Sequence, residues 1–250
     1  MKKLVKAGIV LGTTVFLSPV FGGTVITDNL PANTVIVNID ARADGAASYN
    51  GGHTGQTYWY HPFNTGGALL ECAVPAGTYR FRVVNPADAA QLFPALTAAQ
   101  TNQIYTAWTY NSPWIEDYLV FDSAAATNDS LPQIFDGAGL GPDSYKGNAA
   151  LAYEDAITNH YDNVLRLSAD GGRESTNYLT SYTFTNAATL ILVVPDYALG
   201  DNAGGVSVLI SPASLAPVLN ITAAANTVTL QWPTNFPEFI LAETTNLQNA

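Results

Sequence analysis

Apolar and polar residues alternate with a period of two in one short stretch after another of this sequence, and the stretches are rich in β-branched and aromatic residues. Side chains two positions apart share a face in an extended chain, so segments 34–39, 78–83, 118–121, 164–167, 178–184, 189–194 and 206–210 predict half-buried strands. Gly, Pro, Asn or Asp bound them, the residues that turn a chain between strands. The expected class is all-β. Within 78–83 the alternation places Tyr79, Phe81 and Val83 inward and sends Arg80 and Arg82 to water. Pro75-Ala76-Gly77 ahead of it reads as a turn, since proline presets φ and glycine accepts a left-handed backbone.

Two segments break the pattern. Residues 87–107 are rich in Ala, Gln and Leu and predict one or two short helices divided at Pro94, where a helix cannot continue. Residues 123–148 gather Asn, Asp, Ser, Gly and Pro and predict a long surface loop, followed by one helical turn within 149–157. Pro212 and Pro217 frame a linker at 213–217, and the strand pattern restarts at 218–222, 227–232 and 238–243. Three strands cannot enclose a core alone, so either they pack on the first domain or, as the pattern favours, this tail is the opening part of a larger sandwich.

Residues 1–22 have the layout of an export signal: Lys2, Lys3 and Lys6 first, an apolar stretch from Ala7 to Phe21, then a small residue at Gly22. Ser18-Pro19 interrupts the stretch short of the ~20 apolar residues that a spanning helix needs. The expectation is a leader cleaved after Gly22, a secreted or cell-surface product, and no membrane span in the mature chain. That mature chain keeps 6 of the 9 basic residues against 20 acidic ones, a net charge of −14. Such a surface repels phosphate backbones, which excludes nucleic acid as a partner, and it suits hard cations bound through oxygen. Apolar residues make up 48% of the chain and charged ones 12%, so a packed core is expected and disorder is not. Cys72 is the only cysteine, which rules out a disulfide within the chain and a cysteine-rich zinc site.

The strongest local pattern for chemistry is the run from Val193 to Val208, Val-Val-Pro-Asp-Tyr-Ala-Leu-Gly-Asp-Asn-Ala-Gly-Gly-Val-Ser-Val. A strand ends at Asp196, a short loop delivers Asp201 and Asn202, and two glycines lead into the next strand. Two carboxylates and an amide oxygen can converge there, with loop carbonyls completing the oxygen shell of a calcium ion. The competing reading is a solvated hairpin whose Asp and Asn side chains cap backbone amides. Trp59 and Tyr60, and Trp108, Tyr110 and Trp114, lie in turn-rich surroundings where rings can stack on sugars or, alternatively, plug the ends of a sandwich.

Other constellations carry less. Asp40 and Asp44 have an EF-hand-like spacing, but Arg42 and Gly51 stand where ligands are required. His53, His61 and His160 lack zinc-binding spacing. There is no Gly-x-Ser-x-Gly element, and Glu116 and Asp117, read as neighbours on a strand, would face opposite ways. No enzyme is expected.

The 193–208 run resembles the last two strands of the calcium-dependent galactophilic bacterial lectin domain, a galactose-binding-like β-sandwich. In that family a strand-terminal Asp and a downstream pair of residues hold the ion that grips sugar hydroxyls. By resemblance Asp196 matches the first, Asp201 and Asn202 the pair, and 203–208 the exit strand. The loop here is shorter, and Ala198, Leu199 and Gly200 offer no side-chain oxygen where the family has a threonine. Upstream, residues 35–42, the Pro75-Ala76-Gly77-Thr78-Tyr79 turn and residues 105–114 are similar, in that order, to the opening strand, turn and tryptophan loop of related domains in secreted bacterial proteins. The tail around Val228-Thr229-Leu230-Gln231-Trp232-Pro233 resembles the start of a fibronectin-type-III-like sandwich.

The resemblance implies a jelly-roll or galactose-binding-like β-sandwich over 23–212 with a short helical insertion, then the linker, then a partial second β-sandwich over 218–250. The function it implies is a secreted or cell-surface, non-catalytic carbohydrate-binding module with calcium between its last two strands. Its partner would be a glycan or cell-surface polysaccharide. The alternative is a structural or adhesive surface protein without a defined small ligand.

Overall fold

The alternating segments pair into two main antiparallel sheets in a computed structural model that describes residues 22–49, 59–111, 113–123, 133–137, 145–158, 165–167, 178–213, 220–224 and 227–231. The first contains β1 (Thr24–Ile26), β2 (Val35–Asp40), β6 (Gly77–Val83), β7 (Trp108–Tyr110), β8 (Trp114–Ile115), β13 (Tyr182–Phe184) and β15 (Asn202–Pro212). The second contains β5 (Glu71–Val74), β9 (Tyr118–Asp122), β10 (Gln133–Gly137), β11 (Leu165–Leu167), β12 (Tyr178–Leu179) and β14 (Ala188–Val193). Their orders are β1-β2-β15-β6-β13, with β7 and β8 attached through β15, and β12-β11-β10-β9-β14-β5. β3 (Asp44–Tyr49) pairs with β4 (Trp59–Asn64), and β16 (Asn220–Ala224) with β17 (Thr227–Gln231). Three short α-helices, α1 (Pro86–Leu92), α2 (Ala98–Thr101) and α3 (Ala149–Thr158), and a 3-10 turn at Leu199–Asp201 complete the described elements. The fold is all-β and sandwich-like.

One apolar layer joins the two sheets. Val35, Val37 and Ile39 of β2, Phe81 of β6 and Val206, Val208 and Ile210 of β15 meet Cys72 of β5, Val120 of β9 and Leu190 and Leu192 of β14. The residues between them are buried as well, where alternation predicted water. Ile36 and Leu209 turn to the other face of the first sheet and pack with Ala89, Leu92 and Phe93 at α1 and with Ile104. Leu119, Phe121, Ile191 and Val193 turn to the other face of the second and pack with Ala46 of β3. The central strands are therefore buried on both sides, which is why they read as near-continuous apolar runs such as Val35-Ile36-Val37. Arg82 corrects the reading in the same way: its register partner is Leu209, so it shares the covered face, and it is 4% exposed.

The helical insertion follows its caps. The Asn85 side chain accepts from the Asp88 N–H, with Pro86 in the first turn of α1, and Thr97 and Gln100 cap each other's backbone at α2. Pro94 separates the two helices, at the division the composition predicted. Residues 123–148 contain a strand, β10, where only loop was expected, and it lies between β9 and β11. Segment 178–184 divides into β12 and β13, which belong to different sheets. Of the strands read beyond the linker, 238–243 lies outside the described residues, as do residues 1–21, His53 and His160. Among the described residues no helix is long and apolar enough to cross a membrane.

β15 changes partner along its length: Asn202 to Gly204 pair with β7, Gly205 onward with β2, and Val208 onward with β6 as well. Gly204, at φ +77°, makes the switch, and a Cβ there would lie 2.4 Å from the Ala107 carbonyl oxygen. The start of β15, the β7–β8 hairpin and the loop after β14 are gathered in this way.

Candidate functional site

The chain leaves β14 tied to β3. Val194 donates its N–H to the Asp44 carbonyl at 3.0 Å, and the Asp196 carbonyl accepts from the Ala46 N–H at 3.0 Å. Asp196 then turns the backbone, its Oδ1 accepting from the Ala198 N–H at 3.0 Å. A 3-10 turn, Leu199–Asp201, buries Leu199 and hands the chain to β15. Asp201 is exposed, and its Oδ2 accepts from Asn111 Nδ2 at 2.7 Å. Asn111 sits at the tip of the β7–β8 hairpin with φ +50°.

Asn202 is different in kind, being 3% exposed. Its Nδ2 donates to the Ala41 carbonyl at 2.8 Å, and its own carbonyl accepts from Arg42 Nε at 3.0 Å. Its Oδ1 has no hydrogen-bond partner among the described residues. A buried amide oxygen left without a donor costs about 1–3 kcal/mol, which makes this atom the group in the loop that calls for a ligand. Asp201 and Asn202 thus adjoin at the mouth of β15, while Asp196 holds the exit of β14 and caps its own turn. Among the described residues no group of three or more His, Cys, Asp or Glu side chains is placed to hold a metal ion. Calcium at this loop would have to draw on Asn202 Oδ1 and main-chain carbonyls in addition to Asp196 and Asp201.

Asp196 also lines a cleft of about 230 Å³, together with Trp108, Tyr110, Ile115, Asp117, Tyr145 and Pro195. Tyr110 stands edge to face with Tyr145 at 6.1 Å and tilted to Trp108 at 6.0 Å. Trp108 is 2% exposed and its indole N–H donates to the Asp117 carbonyl at 3.0 Å, so it serves as a wall with its one donor already engaged. Tyr110 and Trp114 are half-buried and Tyr145 is exposed. The Trp114 ring lies over Gly204. The backbones of Trp59 and Tyr60 pair with Tyr49 and Ser48 across the β3–β4 hairpin, and their side chains lie outside what is described.

Two acids were misplaced by the sequence pattern and two tyrosines were not singled out by it. Glu116 and Asp117 are not on a strand; they lie in the connection between β8 and β9, both buried, and Asp117 lines the cleft. Tyr145 falls in a stretch with no periodic signal. Tyr197, next to Asp196, is 71% exposed, and a ring between an acid and a turn was the signal available for it. Cys72 is no rival nucleophile: burial pushes its thiol up to about 12, so it stays protonated.

Compared with family models, with curated proteins and with solved structures, the chain matches none.

Proposed function

We propose that this protein is a secreted or cell-surface, non-catalytic carbohydrate-binding module whose loop between β14 and β15 holds calcium. The observation that carries the reading is Asn202 Oδ1, a buried acceptor without a donor, in the loop that also carries Asp196 and Asp201. Calcium takes uncharged amide and carbonyl oxygens alongside carboxylates, so the donor types suit it. A bound ion would satisfy Oδ1. The cleft supports the sugar. Tyr110 and Tyr145 supply ring surface with hydroxyl tips, and Asp117 and Asp196 supply polar atoms. Its volume of about 230 Å³ lies below the ~300–1,000 Å³ usual for drug-sized ligands, which restricts the occupant to a small unit such as a sugar ring.

A glycan array probed with calcium present and again with a chelator tests this. Binding is expected to a restricted set of glycans, to disappear with the chelator, and to weaken roughly tenfold in Tyr145→Ala, the loss of one ring contact. A blank array in both conditions would overturn the proposal and favour the alternative of a surface protein that displays loops without a small ligand.

A further inference from the structure

Asp44, at the start of β3, is fully buried, and no ion pair reaches it among the described residues. Its carboxylate accepts from three neutral donors: the Gly23 N–H at 2.8 Å and the Asp40 N–H at 2.9 Å on Oδ2, and Asn64 Nδ2 on Oδ1. Burial, the largest influence, still holds its pKa above the ordinary carboxylate value. A buried charge without a counter-charge is costly.

The backbone at Gly23 is built around this carboxylate. A Cβ on residue 23 would lie 2.2 Å from the Asn38 carbonyl oxygen, 2.5 Å from the Leu70 side chain and 2.6 Å from Asp44 Oδ2. Only glycine can seat its nitrogen there. Gly23 is also the residue that the leader pattern makes the first of the mature chain. We propose that the Gly22–Gly23 bond is a processing site and that the α-ammonium left on Gly23 is the counter-ion of Asp44.

The step is hydrolysis by a leader peptidase. One water is consumed, its oxygen ends on the Gly22 carbonyl carbon, which departs as a carboxylate, and the Gly23 nitrogen keeps the electron pair of the broken bond and is protonated. A neutral N–H bond to Asp44 becomes a charge-assisted one. Cleavage thereby ties the strand entering β1 to the β3–β4 hairpin. This inference stands apart from the calcium reading, because it uses none of the same side chains.

The sign of the pH dependence follows from the groups around Asp44. Asp40 adds repulsion and takes its own bond from the Arg42 N–H at 2.9 Å. Tyr105, pushed up to about 12 mainly by burial, remains neutral over the working range. A free α-amine titrates near ~8, and a carboxylate partner raises that value in the folded chain. Its contribution is therefore complete below pH ~8 and is lost as pH rises through the raised value. At the acid end it fades as Asp44 takes up a proton.

Thermal melting compares the chain from Gly23 to Ala250 bearing a free amine with the same chain acetylated at Gly23. The free-amine form is expected to melt roughly 5 °C higher at pH 7, and the difference to vanish by about pH 11. Asp44→Asn is expected to erase it at pH 7, and should that variant fail to fold, the pH series on the native sequence decides. Equal melting at pH 7, or a difference that persists at pH 11 or in Asp44→Asn, overturns the ion pair. Mass spectrometry of the exported chain is expected to give Gly23 as the first residue, and any other start overturns the processing site.

Discussion

Phe81→Ala is expected to lower the unfolding free energy by about 3–5 kcal/mol and Tm by roughly 10 °C. Phe81 is fully buried on β6, between β15 and β13, with Phe184 at 6.4 Å and tilted by 57°. Phe184 in turn meets Tyr79 at 6.1 Å and Tyr182 at 4.8 Å, so the ring belongs to an aromatic group that fills one end of the layer between the sheets. Truncation removes buried apolar surface and leaves a cavity that strands held by ladder hydrogen bonds on both sides cannot close. Urea denaturation checks this, with a lower midpoint at unchanged slope. A loss under about 1 kcal/mol would mean that the two sheets do not close on each other at this point.

Gly205→Ala is expected to cost more than about 4 kcal/mol or to prevent folding. At this residue β15 passes from β7 to β2, and a Cβ would lie 2.1 Å from the Ile39 carbonyl oxygen and 2.6 Å from the Tyr105 ring. The first obstacle is main chain inside a sheet, so it cannot rotate away. Gly200→Ala is the control, because a Cβ there meets nothing within 4 Å, and a change of at most about 1 kcal/mol is expected. Circular dichroism melts of the two variants separate crowding at the strand crossing from the general effect of losing a glycine.

The strands that form the core were legible because their burial is local in cause. In β2, β6, β9, β14 and β15 apolar residues recur at the spacing of one sheet face, whatever lies opposite. The second face was not legible. Ile36 is covered by α1 and Arg82 is buried in register with Leu209 on the same face, and nothing within the strand's own sequence announces a helix folded over it. β10 escaped for a related reason, since a short strand among Asn, Gly and Pro carries too few residues to show a period. The loop residues divide likewise. Asp196 caps its own turn two residues on, a relation visible in sequence. Asn202 is buried through Ala41 and Arg42, about 160 positions away, so neither its burial nor its orphaned oxygen could be read from its neighbours. The cleft combines the β7–β8 hairpin, the connection into β9 and the exit of β14, and only the folded chain brings Asp117, Tyr145 and Asp196 together.

That orphaned oxygen is what the calcium proposal depends on, and melting the protein across a calcium series tests it most directly. From chelator to about 10 mM calcium, the range in which extracellular modules bind, Tm should climb with concentration. At a hundredfold excess over Kd the gain corresponds to about 2.7 kcal/mol. Magnesium should give no climb, and Asp201→Asn, at an exposed position, should flatten the response without unfolding the chain. A Tm that stays level through 10 mM calcium, or one that rises equally in Asp201→Asn, would contradict an ion at Asp196, Asp201 and Asn202.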